Sequence, residues 1–129
     1  IARELAEDVL ANGDKRHYRF VLADHDGELA AYACFGRIPG TRSAWDLYWI
    51  VVAPALQSQG MGSRILRQVE IRVTSAGGDR LYAETSSREQ YASTRHFYTR
   101  YNFHQAAEFP DFYAPGDGKI VYVSLLTTT

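Results

Sequence analysis

Residues 44–66, AWDLYWIVVAPALQSQGMGSRIL, constrain the fold more than any other stretch. A β-branched apolar run stops at Pro54, passes Gln57 and Gln59, crosses two glycines one residue apart, and continues with helical periodicity. A mostly buried strand that feeds a helix through a glycine turn commits the chain to a layered arrangement of sheet and helices. It also builds a binding feature. The first N–H groups of a helix lack intrahelical partners, and the macrodipole adds partial positive charge there. Gly60 and Gly62 carry no Cβ, so an anion can approach the backbone closely. A pyrophosphate fits residues 59–63 without a lysine nearby. Two glycines alone are often only a tight turn. The third glycine of the dinucleotide fingerprint and the Gly-Lys-Ser/Thr of a phosphate-binding loop are both missing, which counts against the common nucleotide readings.

The rest of the chain fits around this unit. After the turn, Met61, Ile65, Val69 and Val73 recur every four residues with Leu66 beside them, and Arg64, Arg67, Glu70 and Arg72 form the polar remainder. That is an amphipathic helix, ended by Gly77-Gly78. The N-terminal IARELAEDVLANG reads as a helix through Leu5, Val9 and Leu10, with Asn12-Gly13 as its stop. HYRFVLAD reads as a strand, Asp26-Gly27 as a hairpin turn, LAAYACFGRI as the returning strand and PGTRS as a loop. RLYAET is a short strand, and REQYASTRHFYTRYN a second helix capped at Asn102. FHQAAEF and KIVYVSLL are the last strands, joined by PDFYAPGDG as a loop. The order predicts an α/β (α+β) sandwich: a mixed, mostly antiparallel central sheet with helices on both faces, in one domain over residues 1–129.

Charge and composition narrow the function classes. The chain has 129 residues, 14 basic and 15 acidic, and a net charge of −1 with no run of one sign. That gives no nucleic-acid-binding surface. No apolar run approaches the roughly 18 residues of a membrane span, and no signal peptide is visible. The chain starts at Ile1, which fits a fragment, a processed product or a trimmed chain. The one cysteine, Cys34, lies in an apolar run and reads as a core thiol; this suits a reducing cytoplasm. The four histidines show no metal-ligand spacing, so no metal is expected.

Gln57, Gly60 and Gly62, with VVAP before them and a helix after, resemble the signature of the Gcn5-related N-acetyltransferase (GNAT) superfamily, Gln/Arg-x-x-Gly-x-Gly/Ala. TRHFYTRYNF is similar to that family's helix end F-Y-x-x-x-G-F. Phe97, Tyr98 and Phe103 fall in register, and Asn102, which tolerates the left-handed conformation, replaces the glycine. The family normally has one more strand and helix at the N-terminus, so IARELAEDVLANG would be its second helix.

The resemblance implies acetyl transfer from acetyl-coenzyme A to a primary amine by direct attack in a ternary complex. The pyrophosphate would lie on Gln57, Ser58, Gln59, Gly60, Met61, Gly62 and Ser63. The pantetheine arm would run along Ile50, Val51 and Val52, where the strand splays from its neighbour at a bulge, and an N–H near Val51 or Val52 would polarise the thioester carbonyl. Tyr98 matches the tyrosine that protonates the leaving thiolate. A phenol with a pKa of about 10 is protonated at neutral pH, whereas a thiol lies at about 8.5. Asp46 stands where the histone-acetylating branch has a catalytic glutamate. A carboxylate in so apolar a strand is paired or functional. Glu84 is the second candidate base, and a water chain is the alternative to both. Tyr32, Tyr48, Phe112 and Tyr113 are candidate walls for the acceptor, a small-molecule or peptide amine, with Asp111 or Asp117 to hold its charge. Homodimer formation stays open. The competing reading is a catalytically silent acyl-CoA-binding sensor or scaffold.

Overall fold

The computed structural model describes residues 2–10 and 17–127. Strands β1 (Ala2–Leu10), β2 (His17–His25), β3 (Glu28–Arg37) and β4 (Ala44–Val52) are followed by helix α1 (Met61–Ser75) and β5 (Arg80–Ser86). Helix α2 (Ala92–Arg100), β6 (His104–Ala114) and β7 (Asp117–Leu125) complete the chain. The seven strands form one sheet in the order β1-β2-β3-β4-β5-β7-β6. Neighbours are antiparallel except β4 and β5, the parallel pair bridged by α1. The mixed, mostly antiparallel α/β sandwich expected from the sequence is the fold.

Two local expectations are corrected. Residues 2–10 are a strand, not a helix, and pair with β2 from Ala2↔His25 to Leu10↔His17. In the sequence, Leu5 and Val9 suit a helix stripe, but their even spacing fits the two-residue period of a strand as well. Backbone pairing to the otherwise open edge of β2 outweighs the weak helical preference. The Asn12-Gly13 stop lies outside the described residues. PDFYAPGDG is not an open loop. β6 continues to Ala114, and its register against β7 slips between Phe109 and Ala114, so residues 110–113 form a bulge in the hairpin. Pro110 is tolerated there because β6 is an edge strand that needs no donor on its outer side.

The hairpin turn at Asp26 (φ 54°) and Gly27 (φ 82°) is as expected. Both crossovers, β4–α1–β5 and β5–α2–β6, advance the same way across the sheet. The right-handed rule therefore places α1 and α2 over the same face. The core agrees. Ile65, Leu66, Val69 and Val73 of α1 and Tyr98 of α2 join one buried cluster with Phe35, Leu47, Leu81 and Tyr122. The sequence predicts helices on both faces; among the described residues they cover one, because the N-terminal segment read as a helix forms β1. The opposite face carries Tyr18, Tyr32, Asp46, Tyr48 and Tyr82, all half-buried.

Candidate active site

The site begins where two strands part. β4 and β5 pair only from Ala44↔Arg80 to Leu47↔Ala83. The next residue, Tyr48, is the extra residue of a bulge against β3, between the rungs Phe35↔Leu47 and Cys34↔Trp49. Beyond it, the end of β4 has no partner on its β5 side. Ala53 N–H donates to the Ala30 carbonyl at 2.8 Å. Antiparallel alternation then turns the N–H and C=O groups of Val52 and Ile50 into the gap and those of Val51 towards β3. Ile50 and Val52 line a cleft there, whereas Val51 is absent from its lining and points its side chain to solvent, 43% exposed.

The turn closes one end of this cleft. A single 3-10 turn, Pro54–Leu56, leads to Ser58 (φ 66°) and Gly60 (φ 79°), two left-handed residues that swing the chain into α1. Glycine is the residue that takes Gly60's conformation without strain. The first intrahelical bond runs from Arg64 N–H to the Gly60 carbonyl, 3.2 Å, so the amides of Met61, Gly62 and Ser63 precede the ladder. Gln57 Nε2 donates to the Val52 carbonyl at 3.3 Å and clips the turn to the strand end. Gln59 instead reaches back to the Ala55 carbonyl, 3.4 Å, and does not line the cleft. A Cβ at Gly62 would stand 3.1 Å from Phe97 Cε1, so α1 and α2 approach closely here.

The cleft measures about 670 Å³. Its lining joins Ile50 and Val52 with Gln57, Ser58, Gly60, Met61, Gly62 and Ser63, all candidates named from the sequence. The sequence reading missed Leu56 and most of the α2 wall: Ser93, Thr94, His96, Phe97, Arg100 and Tyr101. The signal was available, because Thr94, Phe97 and Tyr101 recur at helical spacing around Tyr98. No carboxylate is among the described residues of the lining.

Tyr98 lies at the back of the cleft, 5% exposed. Its ring meets those of Phe103 at 5.0 Å, Tyr122 at 5.6 Å and Phe97 at 5.9 Å. Burial, with Tyr122 nearby, pushes its phenol up to about 12. Tyr98 thus belongs to the core cluster and to the cleft lining at once. Asn102 adopts φ 71° and ends α2 as expected.

The remaining candidates lie on the opposite face of the sheet. Asp46 pairs with Gly36 and Tyr82, one rung before the last β4–β5 pair. Glu84 follows that last pair on β5, so the two carboxylates flank the start of the gap. Glu84 accepts from Lys119 Nζ at 3.3 Å. Lys119 also lies over the rings of Phe112 (4.6 Å) and Phe109 (5.9 Å). Phe112 and Tyr113, 5.1 Å apart, are about half exposed at the hairpin tip. Tyr48 packs on Tyr18 at 5.3 Å, and Tyr32 on Phe20 at 6.5 Å. Asp111 accepts from the Gly116 N–H within the hairpin, and Asp117 accepts from the Ser86 hydroxyl, tying the start of β7 to the end of β5. Among the described residues no cluster of metal-ligating side chains occurs, and no helix is long and apolar enough to cross a membrane.

Residues 2–103 match the model of the acetyltransferase (GNAT) family. The chain belongs to that family. It is accordingly an enzyme of the acyltransferase class. A GNAT-family crystal structure from Desulfovibrio desulfuricans, assigned as an acetyltransferase, superposes with a TM-score of 0.84 at 44% identity, covering 85% of this chain and 70% of that one. The ribosomal-protein-S18-alanine N-acetyltransferase of Escherichia coli gives 0.74 at 21% identity, over 92% of this chain and 74% of that one. An aminoglycoside 6′-N-acetyltransferase complexed with coenzyme A gives 0.72 at 19%, over 87% and 74%. At those lower identities the likeness is one of fold. No curated protein sequence matches significantly.

Proposed function

We propose that this GNAT enzyme moves an acetyl group from acetyl-CoA to a primary amine, a small molecule, by direct attack while both substrates are bound. The observation that carries the reading is the continuity of one cleft. Unpaired strand edge, free helix N-terminus and buried tyrosine all open into it. The residues fit the donor. The amides of Met61, Gly62 and Ser63 and the dipole of α1 suit a pyrophosphate. The edge groups of Ile50 and Val52 suit an amide-bearing arm that pairs like a strand.

Acetyl-CoA, when bound, supplies the acetyl group as an activated thioester. The Val52 N–H is the backbone donor that faces the gap and can polarise the thioester carbonyl, while Gln57 fixes the Val52 carbonyl. The Tyr98 hydroxyl is neutral at all physiological pH and would be the donor available to the sulfur of a bound thioester. Because burial raises the phenol further above a thiol's value, charge stabilisation by that bond matters more than complete proton transfer. Asp46 and Glu84, across the sheet from the cleft, are the candidate acceptors of the amine's proton, Asp46 ahead of Glu84, whose carboxylate is shared with Lys119. They stand among aromatic rings rather than in an extended charged stripe, which suits a small amine better than a highly charged polypeptide. The buried Cys34 thiol, pushed up to about 11 by desolvation, is inert and fits a reducing cytoplasm.

The test has two steps. Thermal shifts with acetyl-CoA, ATP and NAD should show stabilisation by acetyl-CoA alone. Amines are then screened for coenzyme A release, with mass spectrometry of the product for an added acetyl group. Stabilisation by ATP or NAD in place of acetyl-CoA would refute the proposal, and so would binding without turnover of any amine or peptide.

A further inference from the structure

The cleft's far wall is cationic in one place. Arg100 is the one arginine or lysine among the described residues of the lining, and no carboxylate opposes it there. It follows Phe97 by three residues on α2, so the two share a helix face about 5–6 Å apart between Cβ atoms. Phe97 is the ring that meets Gly62. Arg100 therefore stands roughly one helical turn along α2 from the contact with Gly62, with its side chain exposed. Its guanidinium lies 5.6 Å from the ring centre of Tyr101, itself a cleft residue, which limits where the fork can point. The cleft thus has two separate provisions for anions: the α1 amides at the turn and a guanidinium on α2. A pyrophosphate needs the first. Coenzyme A carries a further phosphate, a monoester on its ribose, that the first does not satisfy. A planar five-donor fork is the side chain that matches a phosphate monoester.

We propose that Arg100 is a specificity-determining residue that reads the ribose phosphate of coenzyme A and sets a preference over dephospho-coenzyme A. This rests on the reading of the cleft as a coenzyme A site. The experiment is calorimetric titration of the protein with coenzyme A and with dephospho-coenzyme A, in wild type, Arg100→Gln and Arg100→Lys. Wild type should prefer coenzyme A by about tenfold or more, the value of one charge-assisted contact. Arg100→Gln should erase the preference while holding dephospho-coenzyme A within about twofold of wild type. Arg100→Lys should keep part of it, and added salt should shrink it. Equal loss of both ligands in Arg100→Gln would assign Arg100 to the pyrophosphate and overturn the proposal. Equal wild-type affinity for the two ligands would overturn it as well. Binding of neither to wild type overturns the cleft reading itself, a result distinct from the other two. Circular dichroism of the exposed-site variants confirms that any loss is not unfolding.

Discussion

Tyr98 joins core stability to the chemistry proposed for the cleft. The phenol is raised in the folded state to about 12 by burial, while an unfolded tyrosine titrates near 10. Between those values the unfolded chain has lost a proton that the folded chain keeps, so stability falls as pH rises. The contribution is intact below pH 10 and lost by about pH 12, a span worth about 3 kcal/mol. Tyr98→Phe should blunt this alkaline loss, read as Tm against pH from 9 to 12. The same variant should lower kcat by about 10²-fold with cofactor affinity nearly unchanged, since the ring still packs on Phe103 and Tyr122. Unchanged turnover would remove Tyr98 from the chemistry. The two glycines of the turn separate in the same manner. Gly60 at φ 79° has open space around it, so Gly60→Ala meets no clash but forces alanine into the left-handed region, at about 1 kcal/mol. Gly62→Ala puts a methyl 3.1 Å from a ring edge that can yield by a few tenths of an ångström. Urea unfolding should rank Gly60→Ala as clearly less stable than Gly62→Ala.

At the level of elements, the strand–turn–helix unit was legible because all its local signals agree: β-branched run, proline, glycine pair, four-residue apolar repeat. The same holds for the Asp26-Gly27 hairpin. Residues 2–10 were illegible as a strand because Leu5 and Val9 satisfy both periodicities, and the β2 edge that decides between them is a tertiary fact. The bulged hairpin at 110–113 was hidden by residues that also mark loops. In the site, spacing located the turn and Tyr98 but could not say which amides of β4 face the gap. That depends on the ladder's phase, fixed by the Ala53–Ala30 bond. Hence residues 50–52 were named together, although Ile50 and Val52 differ from Val51. The clip from Gln57 to Val52 joins turn and strand, and cutting it tests whether the two elements act as one. Gln57→Ala should weaken acetyl-CoA binding by about three- to tenfold, the value of one neutral hydrogen bond, with little change in Tm. A Kd equal to wild type would show that the turn holds its shape without the clip.

For the whole molecule, the consequence of both helices covering one face is a division of labour across the sheet. The cleft proposed to hold acetyl-CoA opens on the helical face. Asp46 and Glu84 stand on the other, and the two sides meet only where β4 leaves β5. Donor and acceptor can then approach from opposite sides without displacing each other, which is what direct transfer requires. It follows that substitutions should sort by face. Asp46→Asn removes the carboxylate on β4 just before the strands part. It should cut kcat by one to two orders of magnitude while leaving the Kd for acetyl-CoA within about twofold. Glu84 is already shared with Lys119 at 3.3 Å, which limits its service as a proton acceptor. Glu84→Gln should instead raise the KM for the amine by several-fold through a loosened Lys119 and Phe112 wall, with kcat largely kept and stability altered by under about 0.5 kcal/mol. Kinetics with the amine found by screening, paired with titration of each variant by acetyl-CoA, separates the alternatives. If Glu84→Gln takes the kcat loss and Asp46→Asn does not, the base lies on β5. If neither does, proton removal runs through water and the sheet's open face only shapes the acceptor. If either variant loses acetyl-CoA affinity in proportion to its rate, the two faces are not independent and the approach from opposite sides is wrong.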